Sequence, residues 1–448
     1  MSDLSETAEH AMETARAAGA TDVVAEAEES AIRQVRFSNS EVDAVSSWSE
    51  KHLVLFVAVG KKVMSSDIRV LDDIDGQARE LVALAQKVPP SKTYGGIASG
   101  RFKYHRGGVD ARIVALRDSS RYVHDAISGA QSLGANNVGG TFYAIHDRVG
   151  IASSGGALGT DEGTAANLSV RAFSQPEASG HAVFCTPVLA ELNAKKTGER
   201  AGELAEKARN PVLGMPGKHD LIVEPLCLGG LVQSTSSMLS ALRVEIGNSM
   251  FAKKIGKRVA SDEVTFVDDP TIESTTRQAF DHEGVPTRRN IMIKDGTLKT
   301  YLHNTSTAKR FKTKTTANAG PLVPTAFSIA AQPLPFHPVV VTGDWTTEEI
   351  IAETKHGLYI NNTWYTRYQN YTTGEFSTIP RDAILSVENG QIVGAVKNIR
   401  ISDSMMNFWK SIDALSKSAQ EVYWWDEAAP PSTLPTVRAT QMMITRSS

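Results

Sequence analysis

The first 88 residues combine the apolar spacing of a helix with that of strands. One helix face is marked by apolar residues that recur every three or four positions, at Leu4, Ala8, Met12 and Ala15. Strand-like patterns follow at 21–28 and 31–38, and the nearly continuous apolar run 52–59 predicts a strand buried on both faces. A helix is predicted over 67–87, where a pair of prolines ends it. The pattern therefore predicts a first N-terminal α/β block over 1–88.

The next part of the chain repeats the order helix, strands, helix after a break. Residues 89–108 are rich in Gly, Pro, Ser and Lys, which is typical of a linker. Helices are predicted over 110–132 and 187–208, with strand patterns between them. The segment NPVLGMPG, at 210–217, is the strongest break in the chain. We therefore predict three further parts: a linker at 89–108, a second N-terminal α/β block at 109–216 and a C-terminal domain at 217–448.

The C-terminal part is predicted to be mostly β-structure. A helix of small residues is predicted over 226–242, and two hairpins turn at Asp295-Gly296 and Asn389-Gly390. These dipeptides favour two-residue turns because they tolerate positive φ at both positions. A Pro-rich turn is predicted at 428–435, before a last strand at 436–444. The expected fold class is α+β, with N-terminal helix–strand blocks and a large, mostly antiparallel β-rich C-terminal domain.

Composition and charge exclude several classes of protein. The 448 residues are 41% hydrophobic and 22% charged, as in ordinary globular proteins, and unlike disordered or fibrous chains. The formal net charge of −3 argues against a protein whose main task is to neutralise phosphates. Two stretches, 253–258 and 309–314, are locally basic. A solvated face is favoured there over a nucleic-acid patch, given the charge of the whole chain.

Cysteine content and the first residues bear on the compartment. Cys185 and Cys227 are isolated, so no Cys-x-x-Cys motif can hold zinc or an iron–sulfur cluster, and so few cysteines fit a reducing compartment. The first 20 residues lack the basic region and apolar stretch of a signal peptide. No apolar run approaches the roughly 20 residues that a bilayer span needs. We expect a cytoplasmic protein that does not enter a membrane.

Common catalytic motifs are missing from the sequence. The 11 histidines include no His-x-x-x-His pair, and no HExxH, nucleotide-binding glycine motif or GxSxG elbow occurs. His282-Glu283 is the only adjacent His-Glu pair, and it lies between Asp281 and a Gly-Val-Pro turn. Acidic residues before such a turn suit the rim of a site, and equally a turn held by backbone hydrogen bonds.

Four segments of the sequence resemble the TldD/PmbA (TldE) family of peptidase-related proteins. These segments are Ser249–Pro270, Phe280–Asn304, Gly374–Ser402 and the closing strand Pro431–Ile444. In this family, TldD-type subunits resemble zinc peptidases, with HExxxH on the helix before the first of these segments and a further Cys ligand near the C-terminus. PmbA/TldE-type subunits lack these ligands.

Counting back from Gly256 places the zinc-motif positions of the family on the predicted helix 226–242. The two histidine positions correspond to Val232 and Ser237, and Gln233 stands where the catalytic Glu would be. Val has no ligand atom, Ser is a poor zinc ligand, and Gln cannot act as a general base. The segment 421–448 contains no Cys. The chain is therefore identified as a PmbA/TldE-like member, expected to carry no metal and no cofactor of its own.

The resemblance implies a subunit of a TldD/TldE-type metallopeptidase that degrades or trims small, unstructured peptides. The chain would help to form a peptide chamber, with a zinc-bearing TldD-type partner in a heterodimer, or with a second copy in a homodimer. A mostly antiparallel sheet would let substrate add as a strand. Two alternatives stay open: a self-sufficient metallopeptidase that joins His282-Glu283 to a distant ring such as His303, and a gyrase-modulating or nucleic-acid-binding protein that uses 309–314.

Candidate cleft residues come from two places. Four lie on the matched motif 280–304, namely Asp281, His282, Glu283 and Asn304, and the role of Asp281, Glu283 and Asn304 could instead be structural. Two more, Tyr365 and Arg367, belong to the aromatic-rich run 361–371, which also holds Trp364, Tyr368 and Tyr371. Such a run suits a peptide or subunit contact, because aromatic side chains supply a large area at low entropy cost, and it equally suits the cover of a β-core.

Overall fold

The computed structural model describes residues 4–105, 107–276, 278–322, 332–425 and 427–446. These residues form two β-sheets with helices packed on them, which confirms the α+β class. Their helices are α1 (Leu4–Ala17), α2 (Ile74–Ala85), α3 (Ala111–Val114), α4 (Ser120–Ser132), α5 (Ala194–Lys207), α6 (Pro225–Met238), α7 (Ala241–Glu245), α8 (Thr305–Arg310), α9 (Thr347–Ala352) and α10 (Met405–Lys410). In the described parts, no helix has the length and apolar character needed to cross a bilayer.

The first sheet unites the two N-terminal blocks. Its strands are β1 (Asp22–Ser38), β2 (Glu41–Val59), β3 (Lys62–Ile68), β4 (Asn137–Ser153), β5 (Leu158–Gln175) and β6 (Ala178–Thr186). They pair antiparallel in the order β3-β2-β1-β4-β5-β6, so β1 and β4 form the junction between the blocks. The two strands predicted at 21–28 and 31–38 are one continuous strand, because β1 is paired along its length with both neighbours.

The helices cover only one face of this sheet. Odd-numbered residues of β1, such as Val23, Ala25 and Val35, pack in apolar clusters with residues of α1, α2, α4 and α5. Since successive side chains of a strand point to opposite faces, the even-numbered residues face away from the helices. Val24 there packs with Phe280 of the C-terminal part. The polar residues that follow on the same face are thereby directed toward the C-terminal domain.

One predicted N-terminal helix is divided in the structure, and the predicted linker is packed against other parts of the chain. The helix predicted over 110–132 is divided into α3 and α4, and an Asp118 carboxylate oxygen accepts the Ser120 N–H at the break. Such a local side-chain bond competes with helix formation. The predicted linker is also packed rather than free, since Tyr94 donates to Asp22 and Tyr104 to the Gly284 carbonyl, each at 2.7 Å. Residue 106 lies outside the described residues.

The second sheet is mixed and contains the C-terminal strands. They are β7 (Val212–Leu213), β8 (Gly217–Val223), β9 (Phe266–Asp268), β10 (Asn290–Lys294), β11 (Thr297–Leu298), β12 (Pro338–Val340), β13 (His356–Asn370), β14 (Glu375–Glu388), β15 (Gln391–Lys397), β16 (Ile399–Ser404), β17 (Ile412–Trp424) and β18 (Ala428–Arg446). The long strands β13/β14 and β17/β18 pair antiparallel, whereas β8 runs parallel to β13.

Both predicted hairpin turns are confirmed. Asp295 and Gly296 have φ of 46° and 71°, and Asn389 and Gly390 have 47° and 80°. The Pro-rich turn predicted at 428–435 is wrong, because this segment is the first part of β18 and pairs with β17. Long-range pairing overrides the local preference of proline there.

Buried polar contacts join the two sheets. The side-chain amide of Asn361 on β13 bonds both the N–H and the carbonyl of His181 on β6, each at 2.9 Å. Asp382 on β14 accepts from Ser179 at 2.8 Å and from Arg171 at 3.2 Å, both on the first sheet. These contacts fix the position of the C-terminal domain against the uncovered face of the first sheet.

Candidate functional site

The helix expected to bear the zinc motif is α6, and zinc does not fit the residues on it. Val232 is fully buried in the main apolar core, where it offers no ligand atom. Ser237 is half-buried, and its hydroxyl donates to the Ser234 carbonyl at 2.9 Å. The nearby Cys227 lies within 3.9 Å of the Thr363 hydroxyl, and burial raises the pKa of its thiol to about 12. Gln233 has no carboxylate to serve as a base.

Asp281 holds the loop that follows β9. One of its carboxylate oxygens accepts the N–H groups of Glu283 and Val285 at 3.0 and 2.9 Å, and the other accepts that of Ala319 at 3.0 Å. Burial raises the pKa of this carboxyl in spite of these bonds. The contacts of Asp281 are those of a turn held by backbone hydrogen bonds.

Glu283 and Asn304 connect this loop to helix α8. Glu283 accepts the N–H of Thr305 at 3.0 Å, and both its burial and the neighbouring Asp281 raise its pKa. Asn304 caps α8 by accepting the N–H of Thr307 at 2.8 Å, in a capping box. The sequence prediction grouped these residues with a cleft, and the structure gives them the hydrogen bonds of a scaffold.

We expect Asn304→Ala to lower the free energy of unfolding by about 1–2 kcal/mol, because a buried helix end would lose its cap. Urea unfolding followed by circular dichroism measures this loss. Asn304→Ser is the matched control, since serine is also a good cap and should retain most of the stability. Equal stability of wild type and the alanine variant would contradict the role.

His282 turns to the opposite side of the loop, toward β1. Its Nδ1 lies 2.7 Å from a carboxylate oxygen of Glu26, and potential ligand atoms of Glu26, Glu28 and His282 lie within 4.8 Å of one another. They border a cavity of about 260 Å³ that Asp147 and Asp161 also line. Carboxylate and imidazole groups are of the kind that could hold a divalent cation, and in this structure Nδ1 of His282 is paired with Glu26.

Sequence reasoning missed the two glutamates of this cluster. The sequence feature that could have revealed them is the spacing of Glu26 and Glu28 by two residues in β1, which places both carboxylates on one face of the strand. The second ring proposed for a self-sufficient site, His303, contacts Thr307 and Phe311 instead. It does not belong to the group of potential ligands around His282.

The same face of β1 continues into a larger cavity, which we call the aromatic groove. Its volume is about 640 Å³, and the six residues that define it are Ile32, Trp48, Tyr143, Tyr423, Trp424 and Trp425. The first three belong to the first sheet, and the others lie at or just after the end of β17. The cleft between the two sheets thus has an acidic part beside His282 and an aromatic part beyond it.

The aromatic run of β13 divides between surface and core. Trp364 and Tyr365 stack with ring centroids 4.4 Å apart, and the guanidinium groups of Arg381 and Arg367 lie 3.8 and 5.2 Å from these rings. Tyr365 has a φ of 57° at an irregularity in the pairing with β14, which lets consecutive rings lie on one side. Tyr368, in contrast, packs against the main core. The structure therefore places Tyr368 in the cover of the core, whereas Trp364 and Tyr365 lie nearer the surface.

The basic stretches are engaged locally. Arg310 forms a bidentate ion pair with Glu245 at 2.7 Å, and Lys309 donates to the Gly95 carbonyl at 3.1 Å. Arg258 pairs with Asp262, four residues further along the chain. These contacts leave less positive charge for a nucleic-acid backbone than the sequence suggested.

The fold and the site together define an α+β protein with two sheets and a cleft between them that acidic and aromatic side chains line. The family described as "PmbA/TldA metallopeptidase" matches by its central domain at residues 110–209 and by its C-terminal domain at 216–446. The chain belongs to this PmbA/TldD family, which confirms the resemblance seen in the sequence.

Relatives extend this finding. Metalloprotease MJ0996 of Methanocaldococcus jannaschii is 30% identical over 233 residues, which cover 48% of each chain, so this chain spans about half the length of that relative. TldE of Thermococcus kodakarensis has a similar fold, with a TM-score of 0.86 at 17% identity, over 98% of this chain and 100% of that one. A Thermotoga maritima protein described as a candidate modulator of a DNA gyrase gives 0.85 at 21% identity, over 98% and 99%.

Proposed function

We propose that this protein is the PmbA/TldE-like subunit of a TldD/TldE-type metallopeptidase. It contributes the wall of a chamber for small, unstructured peptides, and a TldD-type partner supplies the zinc and the general base. The observation that carries the proposal is the sequence of helix α6, where Val232, Gln233 and Ser237 stand at the positions that the resemblance assigns to the zinc motif, in a chain that matches the family's C-terminal domain. We further infer a cytoplasmic location, because the two cysteines are free and buried, as expected in a reducing compartment.

The cleft supports a role in holding peptides. Its aromatic part supplies apolar contact area, and its acidic part supplies hydrogen-bond acceptors along the same face of β1. A site of this kind binds extended chains without demanding one sequence, because most of the contact comes from ring surfaces and main-chain groups. Binding by this subunit would position a peptide for cleavage at the zinc of the partner.

We expect the purified chain alone to contain no stoichiometric zinc and to cleave no unstructured peptide. Addition of a TldD-type protein with an intact HExxxH motif should produce cleavage. Elemental analysis by mass spectrometry and chromatographic peptide assays measure both results. The partner with its motif Glu changed to Gln is the matched control, and it should form the complex without cleavage.

A variant of this chain tests whether a metal is present beside residue 233. Gln233→Glu should leave the activity of the mixture unchanged, because a carboxylate at this position has no adjacent metal to act on. Stoichiometric zinc together with cleavage by the chain alone would overturn the proposed function. An active homodimer, in which a second copy of this chain replaces the TldD-type partner, would overturn the proposal that the active form is a heterodimer.

A further inference from the structure

We propose that the aromatic groove binds the carboxyl-terminal residue of a short peptide. A bulky apolar side chain would lie among the tryptophans, the terminal carboxylate would pair with Arg36, and the last peptide N–H would be donated to Asn167. The inference rests on the proposed function in that the ligand is a peptide, and it specifies which end of the peptide is recognised and by which groups.

The floor of the groove places these two polar residues at a suitable separation. Strand pairing aligns Gln34 of β1 with Tyr143 of β4, and Tyr143 with Asn167 of β5. Arg36 lies on β1 one row further along the same face. Two strand spacings and one row of side chains give about 12 Å between the Cα atoms of Arg36 and Asn167. Two side chains that reach inward across this gap can contact the carboxylate and the preceding amide of a single terminal residue.

Asn167 points to a hydrogen-bond donor in the ligand. Its residue is only 8% exposed, it lines the groove, and its side-chain oxygen has no hydrogen-bond partner among the described residues. Buried acceptors of this kind are rare in proteins, because an unmade hydrogen bond is costly. A peptide N–H that enters the groove would satisfy this oxygen.

Arg36 points to a negative charge. Of the described residues that line the groove, Arg36 alone carries a charge, and none of them is a carboxylate. Arg36 is an exposed residue, and no carboxylate of the described residues is paired with it. Since its planar fork matches a carboxylate in a bidentate geometry, Arg36 favours a ligand with a free terminal carboxylate over an internal peptide segment.

The wall formed by the end of β17 is held in place before any ligand binds. Trp424 makes an edge contact with His181 at 4.9 Å between ring centroids, and Arg171 lies 5.5 Å from its ring. The side-chain amide of Gln420 donates to the Val183 carbonyl of β6 at 2.5 Å. Trp425 is 65% exposed, which leaves a large apolar surface for the ligand to cover. A preformed wall reduces the entropy lost on binding.

Titration of the intact, zinc-free chain tests the proposal directly. The probes are N-acetyl-Ala-Ala-Phe, the same peptide with a C-terminal amide, and N-acetyl-Ala-Ala-Ala, and tryptophan fluorescence and calorimetry report the binding. We expect saturable binding of the Phe acid, and affinity at least about tenfold lower for its amide and for the Ala peptide, the factor that loss of one charge-assisted bond or one buried ring produces.

Three variants assign the contacts. Arg36→Gln should bind acid and amide equally, whereas Asn167→Leu and Trp425→Ala should weaken both peptides by about tenfold. Arg33→Gln on the opposite face of β1 and Tyr371→Ala outside the groove are the matched controls, and they should bind as wild type does. Circular dichroism shows whether each variant is folded. The ratio of the wild-type affinities for the Phe acid and its amide tests the proposal even where a variant fails to fold.

Several results would overturn the inference. One is the absence of saturable binding, and another is equal affinity of the wild type for the acid and the amide. A third is a dimer, measured by light scattering, that Trp425→Ala dissociates without any effect on peptide affinity, because the occupant would then be a second copy of the chain. None of these measurements involves cleavage or a partner, so failure here and failure of the proposed function are distinguishable.

Discussion

Asp382→Ala is expected to lower the free energy of unfolding by about 3 kcal/mol or more, because it removes one partner of a buried ion pair and leaves the other behind. Asp382 is buried, and Arg171, Ser179 and Asn362 surround its carboxylate. The first two belong to the first sheet and Asn362 to the second. Loss of the carboxylate should therefore weaken the junction of the two sheets.

Denaturant unfolding, followed by tryptophan fluorescence and circular dichroism, measures this effect. If the sheets separate before they unfold, the two signals should no longer coincide in the variant, which would identify the junction as the weakened part. The matched control is Asp262→Ala, because Asp262 forms an ion pair with Arg258 in which both side chains are exposed. That change should cost less than about 1 kcal/mol. Equal losses in the two variants would contradict the assignment.

Acid is expected to destabilise the protein through His181. Burial first, and then the charge of Arg171, lower the pKa of this ring to about 3. Both of its nitrogens make hydrogen bonds, to the Asn362 amide at 3.0 Å and to the Ser169 hydroxyl at 2.9 Å. Since the amide donates, the ring nitrogen that faces it must accept, which requires neutral histidine.

The sign of the pH effect follows from linkage. The pKa in the folded state lies below the value of about 6.5 in an unfolded chain, so the stability is fully present above pH 6.5 and is lost as the pH falls toward 3. At about 1.4 kcal/mol per pH unit, this ring alone should account for about 3 kcal/mol between pH 6.5 and 4. Urea unfolding at several pH values should show a steeper slope for wild type than for His181→Gln.

His10→Gln is the control for this measurement, because His10 is largely exposed beside Asp75. Its unfolding free energy should follow the pH dependence of the wild type. A slope that His181→Gln leaves unchanged would show that the buried ring is not the group that titrates.

Features that depend on a few adjacent residues could be predicted from the sequence. The turns at Asp295-Gly296 and Asn389-Gly390 follow from the tolerance of these residues for positive φ, and both are present. Helix α1 follows from its apolar spacing. The motif that contains Asp281 and Glu283 supported the family assignment, although its contacts show a loop held by backbone hydrogen bonds.

Features that depend on distant pairing could not be predicted. The Pro-rich segment at the start of β18 is a strand because β17 pairs with it. The aromatic groove brings Tyr143 and Asn167 of the first sheet to Trp424 and Trp425, more than 250 positions away along the chain. No local pattern indicates this meeting, because it depends on how the second sheet packs against an uncovered face of the first.

The sequence by itself determined that the two histidines and the glutamate of an HExxxH motif are not present at Val232, Gln233 and Ser237, since residue identity needs no tertiary structure. It also determined the family and the α+β class, because family motifs and apolar periodicity are read directly along the chain. Only the tertiary structure decided that two predicted blocks share one sheet and that its polar face forms a cleft with the C-terminal domain. The physical reason is that strand register and domain packing are long-range choices, made by the burial of surfaces that local sequence does not pair.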